Sequence, residues 1–515
     1  MVSGQLVISG NDKISQMNSV RQALIYSTAD RYLGLIFNFG LMIVVSRLLT
    51  PGEIGISVTG SAIVGLALAF REFASTSFIV QRANLSREDV RAAFTVILVL
   101  SSLVAGALFI CAPYIAYAYR DDGLAPYLRV LSVAILTEAA AAPVLALMRR
   151  EMAFGQVAIV NITTVTSSVA TTITLAVMGF SYMSFALAWL VSAVFGSTLA
   201  LSLHRQFWIF RPLFSHWRDV LAFGSYNGLI VMLARIYDQV PFLVLGRVVS
   251  FDAAGLFNRT LNLAQLPDRI FIASSHAVVF SRFSSKARNG GNLKSEYLAA
   301  MTYMTVVHWP ALCVLAILAH PIVMFLYGDQ WLEIVPLVKI VAVAALFSFS
   351  FGLNYSVLVA VGAIREAFLR SLIILPASAL LLLAAAPLGL RTMALSLLVA
   401  IPFQAVVSLL FVRRHIRMSW MELGLSLWKS VAATIGSILG PAAIALAHHP
   451  AEIGLAAAAG AAVLSGIGWA LAIWQVKHPA IHEIGHAAKF LATRFAMRRQ
   501  QRPGFVGPPM HRGEN

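Results

Sequence analysis

Charge is what this chain has least of. Of its 515 residues only 12% are charged while 59% are hydrophobic, and the mean hydropathy is +0.81. A soluble domain of this length has no use for so much apolar surface, so the composition excludes a soluble globular protein and points to a polytopic membrane protein. Cysteine is nearly absent: Cys111 and Cys313 both fall in apolar segments, which excludes a disulfide framework and a cysteine metal site. Residues 1–18 lack an apolar core with a cleavage signal, so no signal peptide is expected. No polar stretch is long enough to fold outside the membrane. No Ser/His/Asp triad, glycine-rich phosphate loop or pair of catalytic carboxylates stands out, so neither an enzyme nor a cofactor is expected.

Acidic residues are scarcer than basic ones, 22 against 38, for a formal charge of +16. That balance suits nucleic acid, but the placement of the charges argues against it. Apolar runs long enough to cross a bilayer number about fourteen: 21–46, 54–79, 92–118, 124–148, 155–178, 181–204, 219–246, 253–279, 297–320, 334–362, 367–387, 391–412, 424–447 and 452–475. One alternating set of loops collects Arg82, Arg87 and Arg91, then Arg149 and Arg150, Arg205 to Arg218, Arg282 to Lys294, Arg365 and Arg370, and Arg413 to Arg417. The opposite loops hold little beyond Arg47, Arg120, Arg247 and Arg391. The positive-inside rule then places the basic loops and both termini in the cytoplasm, facing anionic phospholipids.

The few remaining charges lie far from the ends of apolar segments. Asp30 and Arg31 are in the first segment, Arg71 and Glu72 in the second, Arg235 and Asp238 in the seventh, and Arg259, Asp268 and Arg269 in the eighth. A charge at the bilayer centre costs about 2.5–3.5 kcal/mol even on the milder scale, so each is expected to face a cavity or a partner. Glu138 and Lys339 fall outside this pattern.

The four charged segments are the first pair of each half, and the halves share a motif. Arg47-Leu48-Leu49-Thr50 with Gly55 reappears two hundred residues on as Arg247-Val248-Val249-Ser250 with Gly255. Two parallel repeats related by an axis along the membrane normal follow, with a cavity between them. Helical spacing aligns Ser27, Arg31, Gly34 and Asn38 in the first segment, and Ser57, Ser61, Arg71 and Ser75 in the second. It also aligns Asn227, Arg235 and Asp238 in the seventh, and Asn258, Asn262, Gln265, Arg269 and His276 in the eighth. Such stripes line water or meet one another. The competing reading is internal pairing, for example Arg71 with Glu72 or Arg235 with Asp238.

The expected fold is therefore an all-α polytopic membrane protein of about fourteen transmembrane helices, two six-helix lobes and two extra C-terminal helices around a central cavity. Its parts are a cytoplasmic N-terminal segment (1–18), an N-lobe (19–204), a linker (205–218), a C-lobe (219–415), the additional helices (416–475) and a basic amphipathic tail (476–515) with a disordered end.

Particular motifs resemble a known family. Ser46-Arg47-Leu48-Leu49-Thr50-Pro51 with Gly55, and Val80-Gln81-Arg82 followed by Ala93-Phe94, resemble stretches of Wzx-type polysaccharide flippases. Phe223-Gly224, Asp238, Gly246-Arg247, Gly255, Asn258-Arg259 and Pro267 fall in the same family's order. Tyr327-Gly328-Asp329-Gln330-Trp331 followed by Val335-Pro336-Leu337 resembles the colanic-acid and succinoglycan exporter branch. The chain departs where Phe257 replaces a frequent Tyr and where Phe251-Asp252 stands for the Thr-Pro pair of the first turn. The resemblance covers roughly residues 19–415. It implies a flippase of the multidrug/oligosaccharidyl-lipid/polysaccharide superfamily in the bacterial inner membrane, moving undecaprenyl-pyrophosphate-linked repeat units, with polysaccharide polymerase and chain-length proteins as partners.

Arginine presents a planar fork that matches phosphate oxygens. The expected substrate-binding set is Arg31, Arg235 and Arg269, then Arg71 and Arg259, with Asn38, Asn262 and Gln265; Asp30 and Asp238 are the expected ion-coupling acids. His482-Glu483-Ile484-Gly485-His486 satisfies the H-E-x-x-H zinc pattern, but a catalytic zinc needs a third ligand and the only downstream acid is Glu514. The apolar face of Ile481, Ile484, Ala488, Leu491 and Phe495 makes an interfacial helix the better reading, with no metal site. The competing functions are a multidrug/cation antiporter, which favours acidic cavities, and a lipid-linked sugar polymerase or ligase, which needs larger outside loops.

Overall fold

The computed structural model describes residues 10–71, 77–82, 84–214, 217–218, 225–272, 283, 286, 291–448 and 453–481. Within them every regular element is a helix. The first half contributes α1 (Gly10–Leu48), α2 (Pro51–Ala69), the short α3 (Ser77–Gln81), α4 (Arg87–Tyr119), α5 (Leu124–Arg150), α6 (Phe154–Val177) and α7 (Met183–Leu203). The second half contributes α8 (Ser225–Val248), α9 (Phe251–Ala264), α10 (Leu293–Ile317), α11 (Ala319–Leu326), α12 (Ile334–Ala345), α13 (Phe351–Ala360), α14 (Ile364–Ala385) and α15 (Leu390–Ile416). Helices α16 (Trp420–Ala447) and α17 (Leu455–Gln475) follow.

Side-chain caps begin these helices where the sequence offers them. Thr50 accepts from the Glu53 N–H while Glu53 Oε2 accepts from the Thr50 N–H at 2.8 Å, and Pro51 occupies the first helical turn of α2. Ser86 with Asp89 and Ser419 with Glu422 build the same reciprocal box at α4 and α16. Ser250 caps α9, so the structure pairs Ser250 with Thr50 and Phe251 with Pro51. The Thr-Pro replacement expected at Phe251-Asp252 therefore sits one residue earlier, because the cap hydroxyl sets the register.

Packing repeats between the halves. Helix α4 lies on α5, α5 on α7, α6 on α7 and α1 on α6; correspondingly α10 lies on α12, α12 on α15, α14 on α15 and α8 on α14. These are two parallel lobes. Helices α16 and α17 form a pair tied by a Ser437–Ser465 hydroxyl contact of 2.7 Å. That pair docks on α10, where Thr305 donates to Ser430 at 2.9 Å and the Trp469 indole donates to the Val306 carbonyl at 2.8 Å.

Twelve of the described helices are long and apolar enough to cross a membrane, and thirteen if α12 and α13, bent by 50°, form one span. The chain is a multi-pass membrane protein. The expected eighth segment, 253–279, is a regular α-helix to Ala264, is interrupted by a turn at Gln265 and winds into a π turn at Asp268–Ile272, and its remainder lies outside the described residues. The expected continuous tenth segment is broken. The carbonyls released at the break are met by neighbours: Trp309 donates to Leu346 O at 2.8 Å, Ser348 donates to Ala345 O at 2.8 Å, and His308 Nε2 lies 3.2 Å from the same oxygen. Irregular backbone inside a membrane protein survives only when it is satisfied in this way.

The lobes touch where α2 meets α9. A Cβ built on Gly55 would lie 1.7 Å from the Phe251 carbonyl oxygen, and one on Gly255 2.1 Å from that of Pro51. The repeated glycines thus face each other across the repeat axis, each against the backbone of the other's helix. Tyr119 of α4 donates to Leu243 O of α8 at 3.1 Å beside this crossing. A second joint lies at the end of α1. Trp331, fully buried, and Gln330 both donate to Ser46 O at 2.7 Å, while Arg47 donates to Phe325 O at 2.5 Å. The Tyr327–Trp331 motif therefore completes the carbonyls that every helix C-terminus leaves open.

Candidate substrate cavity between α1 and α9

The repeat is not carried through between the lobes. Helix α2 packs along α8, but its counterpart pairing, α1 with α9, is confined to one end, where Val45 and Leu49 share an apolar cluster with Leu256 and Leu263. Beyond that end an opening of about 390 Å³ separates them, lined by Tyr32, Asn38 and Phe39 of α1 and by Arg259, Asn262 and Arg269 of the α9 segment. A larger cavity of about 770 Å³ lies on the other side of α9, bounded by Asp238, Asn258, Gln265, Asp268, Arg269 and Gln404 among others. Asn262 and Arg269 line both.

The polar stripe of the eighth segment forms a hydrogen-bonded ladder. Arg269 donates to Asn262 Oδ1 at 3.0 Å and to Gln265 Oε1 at 3.2 Å, and Asn262 donates to Asn258 Oδ1 at 2.8 Å. Arg259 reaches the same Asn258 oxygen at 3.4 Å and lies 5.7 Å over the Trp331 ring. Among the described residues neither Arg259 nor Arg269 has a carboxylate within ion-pair distance. Their amide partners position the guanidinium groups without neutralising them. His276, the last member of the stripe, lies outside the described residues.

Other expected site residues are placed elsewhere. Asp30 accepts from Asn161 Nδ2 at 2.8 Å, which ties α1 to α6. Arg71 lies 3.9 Å from Glu138 of α5, so two charges that looked unrelated in sequence form one pair; Glu72 lies outside the described residues. Ser57 and Ser61 turn into the N-lobe, where Tyr127 donates to Ser57 O at 3.1 Å and lies 3.1 Å from the Ser61 hydroxyl. The second-segment stripe thus faces α5 rather than the lumen. Arg31 and Arg235 are exposed and line neither cavity; Arg235 acts electrostatically on Asp238, one turn away. Ser27, Ser75 and Asn227 are among the side chains not described, as are His482, Glu483 and His486. Among the described residues no three His, Cys, Asp or Glu side chains gather as a metal would require.

Sequence reasoning missed Gln404, Ser348 and above all His308, which lies 2.7 Å from Asp268. A histidine within Val306-Val307-His308-Trp309-Pro310 was a readable signal, since intramembrane ionisable residues are rarely idle.

Residues 44–336 match the family model described as a polysaccharide biosynthesis protein. The chain belongs to this family. It is 23% identical over 318 residues to the lipopolysaccharide biosynthesis protein WzxC of Escherichia coli strain K12, a match covering 61% of this chain and 64% of that protein. It is likewise 23% identical over 312 residues to the succinoglycan biosynthesis transport protein ExoT of Rhizobium meliloti strain 1021, covering 59% and 63%. The chain thus spans somewhat under two thirds of the length of these curated relatives. In fold it is similar to the lipid II flippase MurJ in an inward closed conformation, with a TM-score of 0.69 at 14% identity over 88% of this chain and 99% of that one. It is also similar to an inward-facing multidrug resistance MATE transporter, with a TM-score of 0.59 at 18% identity over 77% and 98%. The family is the one its motifs resemble.

Proposed function

We propose that the chain is a flippase carrying undecaprenyl-pyrophosphate-linked oligosaccharide repeat units across the bacterial inner membrane by alternating access, for exopolysaccharide or lipopolysaccharide biosynthesis. The observation that carries this reading is the pair Arg259 and Arg269 at the opening between α1 and α9, held by amides and an indole ring instead of carboxylates. Uncompensated guanidinium groups in a largely apolar wall suit a pyrophosphate. Tyr32, Leu35, Ile36 and Phe39 on the same opening suit the lipid chain, and the amide-rich larger cavity suits sugars. A lipid-linked substrate must enter sideways from the bilayer, and the incomplete α1–α9 pairing provides that route.

In this reading the lobes are 19–204 and 219–415, both termini are cytoplasmic, and the α2–α9 joint closes the periplasmic end. The protein translocates and does no covalent chemistry. Polymerase and chain-length proteins would take the product on the far side, and anionic phospholipids would face the basic loops. Arg259 moves ahead of Arg31, Arg235 and Arg71 in the expected binding set.

The test is export by a flippase-deficient strain carrying Arg259→Ala or Arg269→Ala. A charge-assisted hydrogen bond is worth about 1.5–3 kcal/mol, so each variant should lower export roughly 10- to 100-fold at normal membrane abundance. Wild-type export by both variants would refute the reading. Efflux of a cationic dye in place of saccharide export would favour the antiporter.

A further inference from the structure

We infer that Asp268 and His308 together form a proton-binding site in the wall of the larger cavity, and that its occupancy is linked to binding of a pyrophosphate-type anion by Arg259 and Arg269. The link, though not the proton site, rests on the function proposed above.

Two contacts define the site. His308 is buried on α10, its Nε2 3.2 Å from the carbonyl oxygen of Ala345 at the break between α12 and α13. A carbonyl oxygen only accepts, so Nε2 carries hydrogen. The other ring nitrogen, Nδ1, stands 2.7 Å from Asp268 Oδ1. Both of these atoms are buried, and among the described residues neither has another hydrogen-bond partner. A contact that short is attractive only with a proton between the two atoms. That proton makes either an imidazolium beside a carboxylate or an imidazole beside a carboxylic acid. Both forms are neutral overall and contain the same proton. Its removal leaves two lone pairs facing each other at 2.7 Å. Moving the remaining hydrogen from Nε2 to Nδ1 only transfers the clash to the Ala345 oxygen.

The pair therefore exchanges one proton as a unit. When it ionises, the proton passes to cavity water as hydronium and one negative charge stays on Asp268, whose side chain is 32% exposed and lines the cavity. The surrounding groups determine what that charge does. Arg269 is the next residue along the π turn and lines the same cavity. Asp238 and Tyr237 face the cavity from α8, and the Ser348 hydroxyl lies 3.5 Å from both Asp268 Oδ2 and His308 Nε2. Lys339 of α12 is exposed, and on α16 Glu422 is engaged by Lys294 and Lys429 by the Lys477 carbonyl. Helix α10 adds Glu296, which pairs with Lys286. With the proton in place, Arg269 can turn its charge to an anion. With the proton gone, the new carboxylate competes for Arg269 and repels the anion. Linkage is reciprocal, so a bound anion must in turn hold the proton more tightly.

The experiment uses the full chain in lipid nanodiscs, with farnesyl pyrophosphate as the probe and pH varied across and above the range of about 5–8 in which a histidine ordinarily changes charge. Couplings of this kind amount to about 5- to 150-fold, so probe affinity should fall at least about five-fold as the pair ionises. Asp268→Asn and His308→Gln should flatten that profile. In parallel, histidine-selective 15N NMR without probe should show one ring whose titration is lost in Asp268→Asn. Variants that stay monodisperse and keep the wild-type affinity profile overturn the linkage. If the wild type binds no probe at any pH, the linkage and the flippase reading fall together, and the ring signal alone decides the proton site. A His308 ring that titrates only when Asp268 is present upholds the site; one that does not titrate across the range overturns it.

Discussion

The joint between the repeats is a place where one methyl group should change the conformational balance. In Gly55→Ala the new methyl would sit 1.7 Å from Phe251 O, and in Gly255→Ala 2.1 Å from Pro51 O. A carbon resting against a carbonyl oxygen needs about 3.3–3.6 Å, so the helices must part by roughly 1.5–2 Å. The obstacle is backbone, which cannot rotate away as a side chain would. Overpacking of this kind costs about 1–3 kcal/mol. Levied only on the state in which α2 and α9 touch, that cost shifts the population toward the parted state roughly 5- to 150-fold. The assay is a pulsed electron-spin distance measurement between labels at Arg120→Cys on the N-lobe and Arg391→Cys on the C-lobe. Both positions are exposed, and Cys111→Ser with Cys313→Ala removes the native thiols. Gly55→Ala should populate a longer distance than the parent, and Gly55→Ala/Gly255→Ala should populate it further. Distance distributions identical to the parent in all variants would sink the claim that backbone contact at these glycines holds this end shut.

Three further outcomes follow from other contacts. Trp331→Phe leaves its half of the bond to Ser46 O unmade in a fully buried site, which should cost about 1–3 kcal/mol and lower the melting temperature in detergent without abolishing insertion. Arg71→Ala should change stability by no more than about 1 kcal/mol and leave export near normal, because its 3.9 Å partnership with Glu138 is loose and partly exposed; a large export defect would move Arg71 up alongside Arg259 in the binding set. His478, buried just beyond α17, is pushed down to about 4 by burial and by the nearby Lys429 charge. Its folded-state value lies below its unfolded one, so its contribution is complete above the unfolded value and is lost as pH falls toward 4. Hydrogen exchange at residues 478–481 should therefore rise on acidification in the wild type and change less with pH in His478→Gln.

The sequence by itself determined the solvent and the plan. Scarce charge and long apolar runs demand a bilayer, because only there is so much apolar surface at rest. The two-hundred-residue echo of Arg47–Gly55 in Arg247–Gly255 was enough to foresee parallel lobes, since both copies end one helix and cap the next. The stripe Asn258, Asn262, Gln265 and Arg269 was legible because residues about one turn apart must share a helix face, and in the structure these four are bonded to one another.

Partnership between distant segments was left to the tertiary structure. Arg71 meets Glu138, Asp30 meets Asn161 and Asp268 meets His308, each across dozens of residues of chain. Helical periodicity says which way a side chain points but not which helix stands opposite. For the same reason the helical spacing of Ser57 and Ser61 does not reveal that their neighbour is Tyr127 of α5. The broken tenth segment was equally illegible, because its apolar run is unbroken and the bend depends on Trp309 and His308 accepting responsibility for the freed carbonyls from another helix. Which arginines are left without a carboxylate partner is a question of what else lies within a few ångströms of them, and that is decided only when the helices pack.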